Sequence, residues 1–311
     1  MADRECDVAI VGGGAAGMTA GLYASRGGMK TVVLERMMPG GQIVNAEKIE
    51  NLPGFPEGVS GPDLGLLLQD QATKYGVEVE LAEVSAVQWD EPYWVLSSYE
   101  GNVRAKSVIL AGGSTLRRLG VPGEERLHGA GVSYCATCDG AFFMEQVVGV
   151  VGGGDSALDE AIVLTEFASK VVVFHRRDCF RGQQVLRDRV LSHPKIEVRW
   201  NTFVDAILGE AQVQGVGITD VATGEPSRLD LDGVFVYVGF EPNTEYLREV
   251  VELDNAGHVP TDIWMRTPRP GLFAAGDIRQ SSASQLVSAA GDGATAAIAA
   301  QRYVEARDWL E

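Results

Sequence analysis

The chain has 311 residues, 45% of them hydrophobic and 22% charged, a composition and length that suit two packed domains of ordinary size. Its net charge of −17 argues against a nucleic-acid partner, which needs clustered Lys and Arg. The four cysteines are too few for a disulfide scaffold, no apolar run reaches the length of a membrane span and no basic-then-apolar leader opens the chain, so a cytoplasmic setting is expected.

In chain order, the first element is a buried strand that runs into "GGGAAG", followed by an amphipathic helix and a second β-branched strand ending at Glu35. In a G-x-G-x-x-G/A turn, Gly12 allows the tight bend and Gly14 lets a pyrophosphate approach the backbone. Gly17 lets helix and strand pack closely. The pyrophosphate then lies at the helix N-terminus, where unpaired N–H groups and the helix dipole favour an anion. Glu35 closes the second strand with a carboxylate suited to ribose hydroxyls. The loops "GGQI" (40–43) and "ENLPGFPEG" (50–58) follow, and the Ser-Gly-Pro-Asp sequence at Ser60 predicts the cap of a helix running to about Tyr75. "VSAVQWDEPYWVLSS" and "NVRAKSVILAGG" alternate as an antiparallel meander, and 111–123 predicts a linker.

"SYCATCDG" comes next, with Cys135 and Cys138 two residues apart and Asp139 behind them. The spacing suits a reversible disulfide, half of a tetrahedral zinc site, or a plain Asp-Gly turn with Gly140. Beyond it the first pattern is written again. "VGVVGGGDSALDEAIVLTEFASKVVVFHR" aligns without a gap, Gly12 over Gly152, Gly14 over Gly154, Gly17 over Ala157 and Glu35 over His175. Two copies, each between a strand and a helix, predict two dinucleotide sites. The second strand of the second copy ends in "HRRDCFR" rather than an acid. His175, Arg176, Arg177 and Arg181 suit a ribose 2′-phosphate, so this site is expected to take NADPH rather than NADH. A second linker is predicted at 236–246. "GLFAAGDIR" (271–279) reads as a strand entering a turn at Gly276, with a long helix from about Ser284 to Arg307. Asp277 is placed to accept a hydrogen bond from a ribityl hydroxyl, which makes the first site one for FAD.

These motifs, in this order and spacing, resemble the low-molecular-weight thioredoxin reductases over nearly the whole length. The resemblance implies an α/β fold of two Rossmann-like dinucleotide-binding domains, each a three-layer ββα arrangement. An FAD-binding domain at 1–117 and 245–311 is then discontinuous, interrupted by an NADPH-binding domain at 118–244 that carries the dithiol. It adds Ala15, Ala16 and Arg36 to the expected flavin contacts, together with Gly41, Gln42, Asn51, Gly112 and Gln285. Asp155 and Ser156 join the nucleotide site of the second copy. By resemblance the protein is a homodimer with two domain arrangements, and electrons pass from NADPH through FAD to a Cys135–Cys138 disulfide and on to thioredoxin or a similar small disulfide protein. Cys138 is then the flavin-side sulfur, Cys135 attacks the partner, and Asp139 moves the proton each exchange requires. A zinc site finds no second cysteine pair, since Cys6 and Cys179 stand alone.

Two stretches depart from the family's pattern. "ASQ" puts Ser284 where an arginine is usual while keeping Gln285, and "IVNAEK" replaces a threonine-rich run after "GGQ". Three other readings stay beside the reductase for thioredoxin: a reductase for another disulfide, a flavin dithiol oxidase, and a flavin-binding redox sensor without catalysis. The basic cluster argues against the oxidase, which needs no 2′-phosphate site.

Overall fold

The computed structural model describes residues 4–306. The chain divides into two compact units, one taking the chain up to Thr115 and again from Glu241, the other Leu116–Phe240.

In the first unit β1 (Arg4–Val11), α1 (Ala15–Arg26) and β2 (Thr31–Glu35) form the predicted strand–turn–helix–strand. Helix α2 (Gly61–Thr73) starts where the sequence placed it, with the Ser60 hydroxyl accepting from the Asp63 N–H at 3.2 Å and Pro62 in the first turn. Strands β3 (Glu78–Leu81), β4 (Val84–Asp90), β5 (Tyr93–Ser98) and β6 (Gly101–Leu110) follow. The sheet order is β3-β2-β1-β6-β5-β4: β1, β2, β3 and β6 run parallel, and β4 and β5 continue from β6 as the antiparallel meander.

The chain then passes through β7 (Ser114–Leu116) into the second unit. Its elements are β8 (Val132–Ser133), α3 (Ala136–Asp139), β9 (Val147–Gly152), α4 (Asp155–Leu164), β10 (Lys170–Phe174), α5 (Gln184–Ser192) and β11 (Ile196–Arg199). The meander β12 (Thr202–Leu208), β13 (Gly215–Asp220) and β14 (Pro226–Leu229) precedes β15 (Gly233–Tyr237) and β16 (Phe240–Pro242). The parallel order β11-β10-β9-β15-β8 repeats the plan of the first unit. Back in the first unit, β17 (Leu272–Ala274) pairs parallel with β6, and α6 (Leu286–Ala306) packs on α1. The helix expected from about Ser284 begins two residues later, because Ser284 takes a left-handed φ of 50°; Arg307 lies outside the described residues.

Successive strand residues point to opposite faces, and both faces of each parallel sheet are buried, which explains the continuous apolar runs. In the first unit Val8, Ile10 and Phe273 pack under Ala20, Ala296 and Ala300 of the helices, while Ala9, Val11 and Leu110 pack against Trp94 and Leu96 of the meander. In the second, Val150 and Val173 meet Leu158 and Leu164 of α4, while Val151 and Val172 meet Val204 and Val216 of the β12–β14 meander. Sheet, meander and helix layer are the three layers of each unit.

Candidate active site

The first glycine turn is shaped by its backbone. Gly12 has φ 101°, and a Cβ on Gly17 would run into the Gly12 carbonyl, so α1 approaches β1 as closely as glycine allows. Gly14, the N-cap of α1, faces the Gly40–Gly41 backbone with no atom nearer than 3.8 Å to a built Cβ. No side chain caps α1, and no acid occupies its first turn. Ala15 and Ala16 are buried there. The Glu35 carboxylate, 8% exposed, accepts from the Gly13 N–H at 2.6 Å and the Met37 N–H at 2.9 Å. Each carboxylate oxygen has a further lone pair for a ribose hydroxyl. Arg36 beside it is exposed.

The loops expected around a flavin come together in the same unit. The Gln42 amide donates to the Ser114 carbonyl at 2.9 Å, and the Asn51 amide donates to Gln285 Oε1 at 3.3 Å, across 234 residues of sequence. The Gly112 carbonyl accepts from Asn243 Nδ2 at 2.8 Å. The Gly276–Ile278 turn carrying Asp277 rests on a support the sequence reading missed: Asp292 of α6 accepts from the Gly276 N–H at 3.2 Å and takes both Nε and Nη2 of Arg279, at 2.6 and 3.0 Å. Burial pushes the Asp277 carboxyl above its ordinary value, against a hydrogen bond from Ser282 and with the Asp292 charge adding to the rise. An acid inside the Ala- and Gly-rich stretch "AAGDGATAA" was the signal available for Asp292.

In the second unit the glycine turn leads into a fixed basic loop. A Cβ at Gly154 would meet nothing within 4 Å, and Gly154 is the N-cap of α4 with no side-chain cap. Ala157, where the first copy has glycine, is buried against Gly152. Arg181 and Gly182 donate their N–H groups to the Gly153 carbonyl at 2.8 and 3.2 Å. Asp155 accepts from the Gln183 backbone and side chain at 2.7 and 2.8 Å, and Ser156 follows it on α4. Arg176, Arg177 and Arg181 are exposed.

His175 corrects the expectation that it joins them on a phosphate. It is 5% exposed, with Nδ1 3.0 Å from the Gly152 carbonyl and Nε2 2.9 Å from the Cys179 carbonyl. The ring ties the basic loop to the glycine turn, and burial holds its pKa below the ordinary histidine value despite both carbonyls. The two cysteines outside the pair differ: Cys179 is exposed in this loop, whereas Cys6 is buried and its thiol is pushed up to about 12 by burial.

Cys135 and Cys138 form a disulfide with their Cα atoms 5.3 Å apart. Cys135 is the N-cap of α3, its Sγ accepting from the Cys138 N–H at 3.1 Å; Cys138 is exposed and Cys135 half-buried. Ser133 Oγ donates to the Asp139 carboxylate at 2.7 Å and accepts from the Cys135 N–H at 3.1 Å, so one hydroxyl fixes the acid relative to the dithiol. The peptide after Cys135 is held as well. The Ala136 N–H is shared between Glu160 of α4, at 2.9 Å, and the Tyr237 hydroxyl, at 3.0 Å. Beside the turn, Tyr134 donates to Glu124 at 2.7 Å. Burial works against that carboxylate's charge, but the hydrogen bonds from Tyr134, Leu119 and Gly120 outweigh it and hold its pKa below the ordinary range. Ser133, Glu160 and Tyr237 were not found from the sequence. Glu160 lies one helical turn from the buried Ala157 and Leu164, which was its only sign; Tyr237 ends an apolar strand and carried none.

A family model described as pyridine nucleotide-disulphide oxidoreductase matches residues 6–294. The chain belongs to that family. Among its members similar to this chain, a Listeria monocytogenes protein named thioredoxin reductase is 44% identical over 98% of this chain and 96% of its own length. A Bacillus subtilis protein of the same name is 44% identical over 97% of this chain and 96% of its own. The solved thioredoxin reductase of Lactococcus lactis, in its FR conformation, superposes with a TM-score of 0.95 at 42% identity, covering 96% of this chain and 99% of that one. The family's FAD and NADPH fit the residues described: both glycine turns leave the second glycine open to a pyrophosphate, Glu35 ends the first copy, and arginines end the second. No helix among the described residues is long and apolar enough to cross a membrane.

Proposed function

We propose that the protein is an NADPH-dependent reductase of thioredoxin, with its flavin held by the first unit and its NADPH by the second. The observation that carries this reading is the Cys135–Cys138 disulfide lying in the nucleotide unit, immediately ahead of the second glycine turn. Bound FAD supplies a two-electron link between a hydride donor and a disulfide.

The chain's own residues account for the exchange with the partner. The Cys135 thiolate attacks one sulfur of the partner's disulfide, that S–S bond breaks, and a mixed disulfide forms. Cys138 then attacks Cys135 Sγ, re-forming the internal disulfide and releasing the partner as a dithiol. Asp139, fixed by the Ser133 hydroxyl, takes the proton from the attacking thiol and returns one to the leaving thiolate. Homodimer formation and a cytoplasmic location belong to the same proposal, on the strength of the family resemblance and the reducing setting that a thiol product requires.

Anaerobic titration with NADPH, followed by oxidised thioredoxin, tests it. Flavin absorbance is expected to bleach with NADPH and return with stoichiometric thiol release. Bleaching without return on thioredoxin moves the activity to another small disulfide protein. The Ser284 position, where "ASQ" departs from the usual arginine, favours that second reading.

A further inference from the structure

The dithiol turn is clamped by a hydrogen-bonded carboxylate that takes no part in the exchange just described. The Ala136 N–H belongs to the peptide that follows Cys135, and it points at Glu160 Oε2 and the Tyr237 hydroxyl rather than at either sulfur. The Tyr237 hydroxyl donates in turn to Glu160, closing a three-membered network. Tyr237 is 6% exposed. Glu160 therefore receives an N–H and an O–H, both of which favour the ionised carboxylate. The arrangement places a carboxylate one peptide from Cys135 and commits that peptide's N–H to it and to the Tyr237 hydroxyl.

We propose that Glu160 and Tyr237 are positioning residues that set the proton affinity of Cys135 and hence the reducing power of the dithiol. A carboxylate beside a thiol disfavours the thiolate and raises the thiol's pKa. At a pH above the thiol's pKa, a less stable thiolate makes the reduced pair less stable relative to the disulfide, so electrons leave it more readily; a dithiol whose reduced form is stabilised is instead an oxidant. The same charge gives Asp139 its task, because a thiol kept protonated needs a base when it attacks.

The titratable groups around the turn are Asp139 within it, Asp159 and Glu160 on α4, Tyr237 at the end of β15, and the Tyr134–Glu124 pair with Arg118 nearby. Both Glu160 and Asp139 raise the Tyr237 hydroxyl's pKa, after burial. Glu160 is singled out because its carboxylate accepts directly from the N–H of the Cys135–Ala136 peptide.

The proposal rests on the redox-dithiol reading, and the test separates the two. In holoenzyme carrying Cys138→Ser, alkylation of Cys135 by iodoacetamide is followed against pH by mass spectrometry. Adding Glu160→Gln, which keeps an acceptor and removes the charge, is expected to shift the profile to lower pH and raise the rate at pH 7 about tenfold. In the intact dithiol, at a pH where Cys135 is ionised in both forms, it shifts the equilibrium with glutathione about tenfold toward the reduced pair, about 30 mV. Tyr237→Phe, which strips one of the two hydrogen bonds that keep the carboxylate ionised, moves the profile the same way by a smaller amount. Profiles that superimpose for both variants overturn the proposal, since a merely structural clamp moves none of them. Failure of NADPH to produce thiols at Cys135 and Cys138 in the unmodified enzyme instead sinks the redox reading itself.

Discussion

Arg176, Arg177 and Arg181 project from a loop whose backbone is already fixed, by His175 between two carbonyls and by two N–H groups on Gly153. Side chains mounted on an ordered backbone lose less entropy on meeting a ligand, so their charge is converted into selectivity rather than into ordering. A hydrogen bond to a charged group is worth about 1.5–3 kcal/mol. Replacing Arg176 and Arg177 together by Ala is therefore expected to raise the KM for NADPH about 100-fold while moving that for NADH less than about threefold. Steady-state kinetics with both nucleotides decides it, and equal losses exclude the loop as the 2′-phosphate site. Histidine's place here also shows where residue type misleads. "HRR" reads as three like cations, but past the end of β10 the chain buries the first and leaves the next two exposed.

At the scale of elements, α6 joins the end of the fold to its beginning. It packs on α1 so tightly that a Cβ on Gly293 would run into the Ala16 carbonyl, and it supplies Asp292 to the Asp277 turn. Asp292 and Arg279 have side chains only 10% and 16% exposed, so removing one leaves the other's charge partly buried. Asp292→Ala is expected to destabilise the first unit by about 3 kcal/mol. Urea unfolding measures this, and retention of FAD on gel filtration is expected to fall with it. The same elements show what a sequence displays. Both glycine turns, the Ser60 cap and the meander were legible because glycine, serine and alternation answer to local backbone needs. Asp292, Glu160 and Tyr237 were not, because their partners belong to other elements of the fold; Ala136 and Tyr237 are 101 residues apart. Pairing of that kind is decided by packing and leaves no periodic trace.

For the whole molecule, each unit has its own pair of cores, and the proposed function puts the two cofactors on different units. A ligand stabilises what it binds in proportion to its occupancy. Removal of FAD is therefore expected to raise amide exchange in β1, α1, β17 and α6 while leaving β9, β10 and β15 close to their holoenzyme rates. Hydrogen exchange with mass spectrometry reads both sets of peptides in one experiment. Uniform loss across the chain would contradict the assignment of FAD to the first unit.

The first unit is also split in the order of synthesis. Its sheet lacks β17 until the ribosome has passed residue 274 and its helix layer lacks α6 until it has passed residue 306, after the whole of Leu116–Phe240 has been made. Domains fold as units while the chain emerges. The inserted nucleotide unit can therefore complete its core, dithiol included, while the flavin unit still waits for its closing strand. A chain broken off anywhere before β17 has lost the Asp277 turn and the helix that braces it. With FAD assigned to the first unit as proposed, flavin capture is then expected to report that synthesis has passed α6, read as the absorbance of bound flavin in truncated and untruncated chains.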